Sequence, residues 1–261
     1  MKRDTLIEWA LPALALTLAL AAWEGAVQWW AIPPYLLPSP SLVLTTLFHD
    51  WGPLSASLLV TLTITCEALA LAVAGGVALA ILFAQSRLIE RAFFPFAVAM
   101  QVTPVVAIAP LLLVYLNTGP AVLVVAFLVS FFPILANTTL GLESADHNLI
   151  DLFQLYGASR WRQLTLLRLP SALPYFLGGL RIGGGLALIG AVVAEIAAGS
   201  AGQGSGLAYR IVESGFRLNI PRMFAALLLI SATGITIYLA LTALTHLSLR
   251  HWHESARGRE T

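Results

Sequence analysis

Residues 54–84 read LSASLLVTLTITCEALALAVAGGVALAILFA, a run of 31 residues in which Glu67 is the only charged one. An α-helix rises about 1.5 Å per residue, and about 20 mainly apolar residues cross the roughly 30 Å hydrocarbon core of a bilayer. The run exceeds that length and has almost no charge to keep it in water. It therefore predicts a transmembrane helix.

The composition of the whole chain agrees with this prediction. Of the 261 residues, 59% are hydrophobic and 10% are charged, and the mean hydropathy is +0.86. A soluble domain carries about 25% charged residues, and a chain with so few could not cover a water-facing surface. These values exclude an ordinary soluble enzyme and a disordered chain. No basic run underlies the net charge of +1, so no nucleic-acid partner is expected.

Six apolar runs predict an all-α transmembrane protein, a polytopic bundle of six helices. The first run is interpreted as a membrane anchor and not as a cleaved signal peptide, because it is long and lacks a small-residue cleavage pattern. It ends at Trp29 and Trp30, a pair typical of the membrane interface. The spans cover residues 6–30, 54–84, 92–116, 121–142, 176–199 and 223–247.

The basic residues predict the orientation of these spans. With the amino terminus in the cytoplasm, ten lysines and arginines lie on the inner side and three on the outer side, while Arg181 falls within the fifth span. Cytoplasmic loops carry such an excess, so both termini are predicted to be cytoplasmic. The inner ten are Lys2, Arg3, Arg87, Arg91, Arg160, Arg162, Arg168, Arg250, Arg257 and Arg259, and the outer three are Arg210, Arg217 and Arg222.

Two outer connections are too long to be simple turns. Residues 31–53 open with four prolines and are expected to run extended, because proline does not fit a regular helix interior. Residues 200–222 contain a predicted short helix at 207–216. The three arginines of this second connection fit either an acidic partner surface or anchoring at the membrane interface. The prolines are Pro33, Pro34, Pro38 and Pro40.

The inner connection, residues 143–175, is the most polar part of the chain interior and includes DLFQLYGASRWRQLTLLRLP at 151–170. Apolar residues recur at helical spacing before Gly157, and a glycine there can end the helix in a left-handed conformation. A second helix is predicted to follow and to end at Pro170 and Pro174. The first helix carries Leu149, Ile150, Leu152, Phe153 and Tyr156 on or near one face.

An apolar helix between two spans needs something to cover it. It can lie in the membrane interface, as amphipathic helices do. It can equally dock in a groove on a soluble partner. The residues alone leave both interpretations open.

The loop resembles the cytoplasmic signature of binding-protein-dependent ABC transporter permeases, which is Glu-Ala-Ala, three residues, glycine, nine residues, an aliphatic residue, one residue, leucine and proline. Asp151 takes the acidic place, and Gly157, Leu167, Leu169 and Pro170 follow at the required spacing. The two alanines are replaced by Leu152 and Phe153. On this resemblance, the residues that dock the ATPase are Leu149, Asp151, Leu152, Phe153, Tyr156, Gly157, Ala158, Arg160, Leu169 and Pro170.

Further stretches resemble the nitrate/sulfonate/taurine-type permeases, and in this order they cover most of the chain. Where this subgroup usually has an aromatic-glycine pair, the chain has Leu116-Asn117. The stretches are LPSP at 37–40, TPVVAIAPL at 103–111, FFPILANT at 131–138, GAS at 157–159, LPSALP at 169–174, GLR at 179–181 and AE at 194–195.

The resemblance implies a type I ABC importer permease with the MetI-like fold, in the bacterial inner membrane. Its implied partners are a second permease copy in a homodimer, a cytoplasmic ABC ATPase, a periplasmic or surface solute-binding protein and membrane lipid. ATP and Mg²⁺ would bind the ATPase, and this sequence indeed has no Gly-x4-Gly-Lys-Ser/Thr phosphate-binding loop. The chain is non-catalytic on this view. Its domains are an anchor with its outer loop (1–53), the type-1 permease core (54–249) and a cytoplasmic tail (250–261).

Polar and proline residues within the spans are the remaining candidates for function, since a charge in the bilayer core costs about 2.5–3.5 kcal/mol. Glu67 is expected to hydrogen-bond Thr63 one helical turn away, or else to line a pathway. Arg181 and Glu195 are about 21 Å apart along one helix, so each needs another partner, and structural pairing is favoured over substrate contact. Pro104 and Pro110 predict a kinked third span that lines the pathway.

Small residues recur every fourth position in three stripes, which favours close helix packing within the chain or, alternatively, a lining of the pathway. The stripes are Gly179 and Gly183; Gly190, Ala194 and Ala198; and Ala70, Ala74 and Ala78.

Two functional hypotheses follow from the sequence. The first is an ABC importer permease for nitrate, sulfonates or taurine, or for a vitamin precursor. The second is a secondary transporter driven by an ion gradient, with Glu67 or Glu195 as the coupling carboxylate. No metal set is expected, because His246, His251 and His253 crowd the carboxyl end, and Cys66, the only cysteine, excludes an intrachain disulfide.

Overall fold

The computed structural model describes residues 2–199 and 205–250, and side chains from residue 10 onward except that of residue 106. All regular secondary structure in these ranges is helical, without a strand, which confirms the predicted all-α fold. The helices are α1 (Lys2–Trp29), α2 (Pro40–His49), α3 (Trp51–Gln85), α4 (Arg87–Val102), α5 (Val105–Tyr115), α6 (Thr118–Glu143), α7 (His147–Leu155), α8 (Arg160–Gln163), α9 (Leu169–Ala198), α10 (Leu207–Phe216) and α11 (Ile220–Leu249), with a π-helical turn at Leu164–Arg168.

Five helices in the described part are long and apolar enough to cross a membrane, and α4 with α5 forms a sixth candidate bent by 105°. The carboxyl ends of α3 and α6, at Gln85 and Glu143, line one cavity and so lie at the same face. The 26 residues of α6 span about 39 Å, so its first residue, Thr118, lies at the opposite face of the membrane. The chain therefore has to cross the membrane once between Gln85 and Thr118. The bent pair therefore accounts for the predicted third crossing.

The third span differs from the prediction for residues 92–116. It begins earlier, at Arg87, and is broken into two helices at Thr103 and Pro104 instead of being one kinked helix. A residue that precedes proline is disfavoured in the α conformation, and Thr103 accordingly has ψ 129°. Its hydroxyl donates to the carbonyl of Ala99 at 2.8 Å, which satisfies one carbonyl at the end of α4.

The expectation of an extended outer segment at 31–53 is wrong for its second half, where α2 forms. Pro40 stands at the start of the helix, where a missing N–H costs nothing because that group has no intrahelical partner. Ser39 caps the helix by accepting from the Leu42 N–H at 3.3 Å. The carboxylate of Glu24 on α1 accepts from the N–H and hydroxyl of Ser41, at 3.0 and 2.8 Å, and so ties α1 to the start of α2.

Pro170 and Pro174 do not end the second helix of the inner connection, contrary to the prediction. The helix runs on from Arg160 to Ala198 and includes the fifth span, which was expected to begin at residue 176. Pro170 is the second residue after the π-helical turn, where the hydrogen-bond register changes and a missing N–H is tolerated. The helix ends at Gly199, which has a φ of +55°.

The chain divides into two compact units, of which the first comprises Met1–Leu59 and Gly202–Ser231. Its core joins residues of α2, α3, α10 and α11. The predicted short helix at 207–216 is confirmed as α10, whose first residue, Leu207, is fully buried in this core. The core residues are Val43, Leu54, Leu207, Ala225, Ala226 and Leu229.

The second unit comprises Val60–Ala201 and Ala232–Thr261 and is built on close packing of α6 against α9. Three glycines of α9 face α6 so closely that a Cβ atom would lie within 3 Å of it: Gly179 near Asn137, Gly183 near Ile134, and Gly190 near Ala126. Without a hydrophobic drive between helices in lipid, small residues that permit such an approach stabilise the contact. The α9 stripes therefore pack within the chain, whereas Ala70, Ala74 and Ala78 on α3 are exposed.

Gly179 and Gly178 provide a matched test of this packing. In Gly179→Ala the new Cβ would lie 2.8 Å from Asn137 Cβ and 3.0 Å from the Pro133 carbonyl oxygen, whereas in Gly178→Ala it meets nothing within 4 Å. We expect Gly179→Ala to cost about 1–3 kcal/mol through overpacking, and Gly178→Ala to be neutral or stabilising through helix propensity. Thermal unfolding of the purified protein in one detergent measures both. Equal melting temperatures for the two variants would contradict the close α6–α9 contact.

Candidate functional site

The first helix of the inner loop, α7, is defined by capping at both ends. The Asp146 carboxylate accepts from the Asn148 N–H at 2.8 Å, which satisfies one of the unpaired amides at the start of the helix. At the other end Gly157 has a φ of +66°, the left-handed conformation predicted for it. The N–H of Ala158 then reaches back to the Phe153 carbonyl at 2.9 Å, so the chain turns tightly into the next segment.

One face of α7 leaves large apolar side chains uncovered. Leu149, Leu152 and Tyr156 are exposed, as expected for a docking face, whereas Phe153 is half-buried. Leu155 was not singled out from the sequence, yet it is 84% exposed. Such an exposed apolar group has to be covered by lipid or by a partner.

The remaining residues of the predicted docking set are spread along the turn and the following helix. Asp151 and Arg160 are exposed, and Ala158 is half-buried beside Gly157. Leu169 and Pro170 are half-buried and already belong to α9. The set is thus brought to one region of the second unit, but its carboxyl-terminal members are part of the fifth span.

The segment after Gly157 is anchored to the protein by its apolar residues. Ser159 caps α8 by accepting from the Arg162 N–H at 3.3 Å. Leu164 is fully buried, in a core with Phe83 at the end of α3 and Leu142 at the end of α6. Trp161 and Leu166 are exposed on the same segment.

A cavity of about 1020 Å³ lies between this loop and the ends of α3 and α6. Its lining is rich in charge of both signs. The basic residues come from the start of α4 and from the loop, and the acidic ones from α4, α6 and α7. The charged lining residues are Arg87, Arg160, Arg168, Glu90, Glu143 and Asp151.

Glu195 and Thr61 connect α9 to α3. The Glu195 carboxylate is buried and accepts from the Thr61 hydroxyl at 2.8 Å, so the structural pairing expected for Glu195 is present. Arg181 is exposed on α9 and has no ion pair with any described residue, so its expected partner is not within the described chain.

The exposed face of α3 mixes a carboxylate and small residues with large apolar ones. Glu67 is exposed there, and in the part of the chain that the structure describes it forms no hydrogen bond with Thr63, contrary to expectation. Ala70 and Ala74 continue the same face, and Leu71 and Leu82 are exposed on it as well.

The three outer arginines are already paired within the first unit. Arg222 donates to the Asp50 carboxylate at 2.6 Å, and this hydrogen bond holds the pKa of Asp50 below its ordinary value. Arg210 and Arg217 both contact Glu213, each at 2.9 Å. Three arginines thus share two carboxylates, and the Arg217 side chain stays 69% exposed, so both an acidic partner surface and anchoring at the membrane interface stay open.

Comparison with known proteins decides the family. A sequence model of the family described as "Binding-protein-dependent transport system inner membrane component" matches residues 72–252. The chain belongs to this family of ABC transporter permeases. Like its relatives, it is a non-catalytic transmembrane subunit of a transporter and a multi-pass membrane protein.

Individual relatives extend the match over nearly the whole permease. This chain is 35% identical over 259 residues to the riboflavin transport system permease protein RibX of Chloroflexus aurantiacus, and the match covers 95% of this chain and 92% of the relative. It is 34% identical over 240 residues to the formylaminopyrimidine transport permease protein ThiX of Halalkalibacterium halodurans, covering 91% and 94%. A crystal structure of an amino acid ABC transporter with histidines has the same fold, with a TM-score of 0.61 at 19% identity over 78% of this chain and 96% of that one.

The Asp50–Arg222 pair allows a test of the first unit. We expect Asp50→Asn and Arg222→Gln each to destabilise the protein by about 1.5–3 kcal/mol, the usual range for a hydrogen bond to a charged group, and the double variant to cost less than the sum. Thermal unfolding of the four proteins measures the coupling.

The pH dependence of the same pair has a definite sign. Because the folded-state pKa of Asp50 is lowered, its contribution is complete above the ordinary carboxyl pKa and is lost as the pH falls through the lowered pKa. Wild-type protein should therefore lose this part of its stability only in acid, whereas Asp50→Asn should show a shallower loss there. Two results would contradict the pairing. One is that the effects of Asp50→Asn and Arg222→Gln on stability add in the double variant. The other is that wild type and Asp50→Asn lose stability identically as the pH falls.

Proposed function

We propose that this permease forms the translocation pathway of an ABC importer and couples solute entry to ATP hydrolysis on a separate subunit. The observation that carries the proposal is the uncovered apolar face of α7, which ends at the left-handed Gly157. A helix presented in this way suits a hydrophobic groove on a partner. The proposed occupant is the family's cytoplasmic ATPase, docked on residues 143–175.

The charge of α7 favours this partner over the membrane surface. Helices that lie on membranes are rich in lysine and arginine, which attract anionic lipids. Residues 147–155, HNLIDLFQL, contain neither, and Asp146 and Asp151 add negative charge. A lipid surface would repel this helix, whereas a protein groove can match it.

The translocation pathway is proposed to lie beside the exposed face of α3. A carboxylate is poorly suited to contact lipid, and intramembrane charges usually face a water-filled cavity or a partner. A second copy of the permease, placed against this face and against Arg181 on α9, would enclose such a pathway as a homodimer. The broken third span, with Pro104 at its break, fits the same role because irregular backbone is tolerated where it lines a cavity.

The proposed solute is a small vitamin precursor, with nitrate, sulfonates and taurine as the second class. The names of the two relatives at 34–35% identity refer to riboflavin and to formylaminopyrimidine, both nitrogen heterocycles. A solute-binding protein outside the membrane would select among them. Domain boundaries at residues 53 and 249 remain part of the same proposal.

An ion-gradient transporter using Glu67 or Glu195 is the second candidate. The exposed Glu67 carboxylate is the observation that favours it, since Glu195 already accepts a hydrogen bond from Thr61. Family membership favours the ATP-driven route. Uptake by the permease alone in liposomes, insensitive to vanadate and abolished with the proton gradient, would support the second candidate.

Variants of Gly157 test the coupling role. At a φ of +66° alanine or valine is strained by about 1–2 kcal/mol, whereas asparagine tolerates this conformation, and no neighbour lies within 4 Å of a Cβ placed there. We expect Gly157→Val to weaken binding of the cognate ATPase about 5–30-fold while Gly157→Asn stays near wild type. Co-purification and titration of the ATPase in detergent measure both. Normal binding by Gly157→Val would contradict docking at this turn.

Single cysteines test the proposed orientation, with both termini in the cytoplasm. In a Cys66→Ser background, Asn148→Cys lies in the inner loop and Tyr35→Cys in the outer connection, and both residues are exposed. An impermeant thiol reagent added to intact cells should label Tyr35→Cys, and should label Asn148→Cys only after the membrane is opened. Labelling of Asn148→Cys from outside would reverse the orientation.

A further inference from the structure

Two arginines of the inner loop reach back to the end of α3. Arg160 donates from Nη1 to the Gln85 carbonyl at 3.2 Å, and Arg168 donates from Nη1 to the Ala84 carbonyl at 3.2 Å. The acceptors are backbone groups more than 70 residues away along the chain. Arg162 lies between the two arginines, and its side chain forms no hydrogen bond within the described residues.

These contacts meet a specific need of α3. The last carbonyls of a helix have no partner in the helix, and the carboxyl end carries a partial negative charge that cations stabilise. The last turn of α3 contains no basic residue of its own. Arg160 and Arg168 supply the missing donors and the positive charge from the loop.

The same loop is rigidly continuous with the fifth span. Helical structure runs without interruption from Arg160 to Ala198, so a displacement of the loop carries α9 with it. Leu164, fully buried against Phe83 of α3, holds the two arginines beside their acceptors. Near the other end of α3, the Thr61 hydroxyl donates to Glu195 of α9. Along α3 the two attachments lie about 35 Å apart.

We propose that Arg160 and Arg168 are positioning residues that transmit movement of the docked loop to α3. The proposal rests on the proposed function, since it requires a nucleotide-driven displacement of the loop. The helix that they move carries Glu67 on its exposed face. A loop displaced by the ATPase thus moves two spans together, α9 through the continuous backbone and α3 through the two guanidinium groups.

Cys66 provides a reporter for this movement. It is the only cysteine of the chain and is exposed on α3. A nitroxide spin label on Cys66, introduced before assembly with a cysteine-free cognate ATPase in nanodiscs, is compared without nucleotide and after trapping with MgATP and vanadate. A second reporter, Gly185→Cys in a Cys66→Ser background, lies on α9, where a Cβ meets nothing within 4 Å.

The variants separate transmission from docking and folding. In Arg168→Gln we expect the nucleotide-dependent spectral change at Cys66 to fall at least five-fold, while ATPase co-purification and the change at the Gly185→Cys reporter persist. Arg168→Lys keeps a cationic donor and should retain at least half of the Cys66 change. Arg162→Gln, the matched control in the same segment, should behave like wild type.

Each result decides the proposal. An undiminished Cys66 change in Arg168→Gln overturns it, because α3 then moves without this arginine. Loss of both reporter signals, or of ATPase co-purification, in Arg168→Gln also overturns it and assigns the arginine to docking or folding. If neither spin label responds to nucleotide in the permease with its wild-type loop, although the ATPase is bound, the proposed coupling to ATP hydrolysis itself fails. Loss at Cys66 alone, with rescue by lysine, supports the transmission role.

Discussion

In the interior of a bilayer each backbone N–H and C=O group has to find its partner within the protein, since no water is present to replace it. The long helices α3, α6, α9 and α11 meet this requirement by themselves. The places where it is not met by a regular helix are therefore informative. They are the break at Thr103–Pro104, the π-helical turn before α9 and the carboxyl end of α3, whose carbonyls accept from Arg160 and Arg168.

Close packing and polar attachment have different roles in the second unit. The glycines of α9 allow α6 to approach to within backbone contact, which creates an interface that tolerates little sliding. α3 packs on the same pair along its length, since Ala68, Ala80 and Phe83 are buried in clusters with residues of α6. Its hydrogen bonds to Glu195, Arg160 and Arg168 add polar attachments to this packed contact.

Much of the fold could be predicted from apolar runs, because a bilayer imposes a length and a composition that local sequence reports directly. The fourth span was placed within three residues of α6, and the left-handed turn at Gly157 followed from helical spacing alone. Prolines were misjudged at Pro40, Pro170 and Pro174, since their effect depends on where a helix starts and on the hydrogen-bond register around them.

The candidate site was only partly predictable. The apolar residues of α7 were found, because periodicity marks a face. Leu155 was missed, and so was the role of Arg168, whose acceptor is a backbone carbonyl. Every residue has such a group, so no sequence signal distinguishes the one that is used. The exposure of Ala70 and Ala74 could not be predicted from the sequence either, because small residues suit a tight helix contact and an open face alike.

The π-helical turn at Leu164–Arg168 has one more consequence for the loop. A π turn is equivalent to one residue inserted into an α-helix, and each residue corresponds to a rotation of about 100° around the helix axis. The turn therefore sets the angular phase between α9 and the segment that precedes it. It allows the buried leucines and the two arginines each to keep their own direction on what is otherwise one continuous helix.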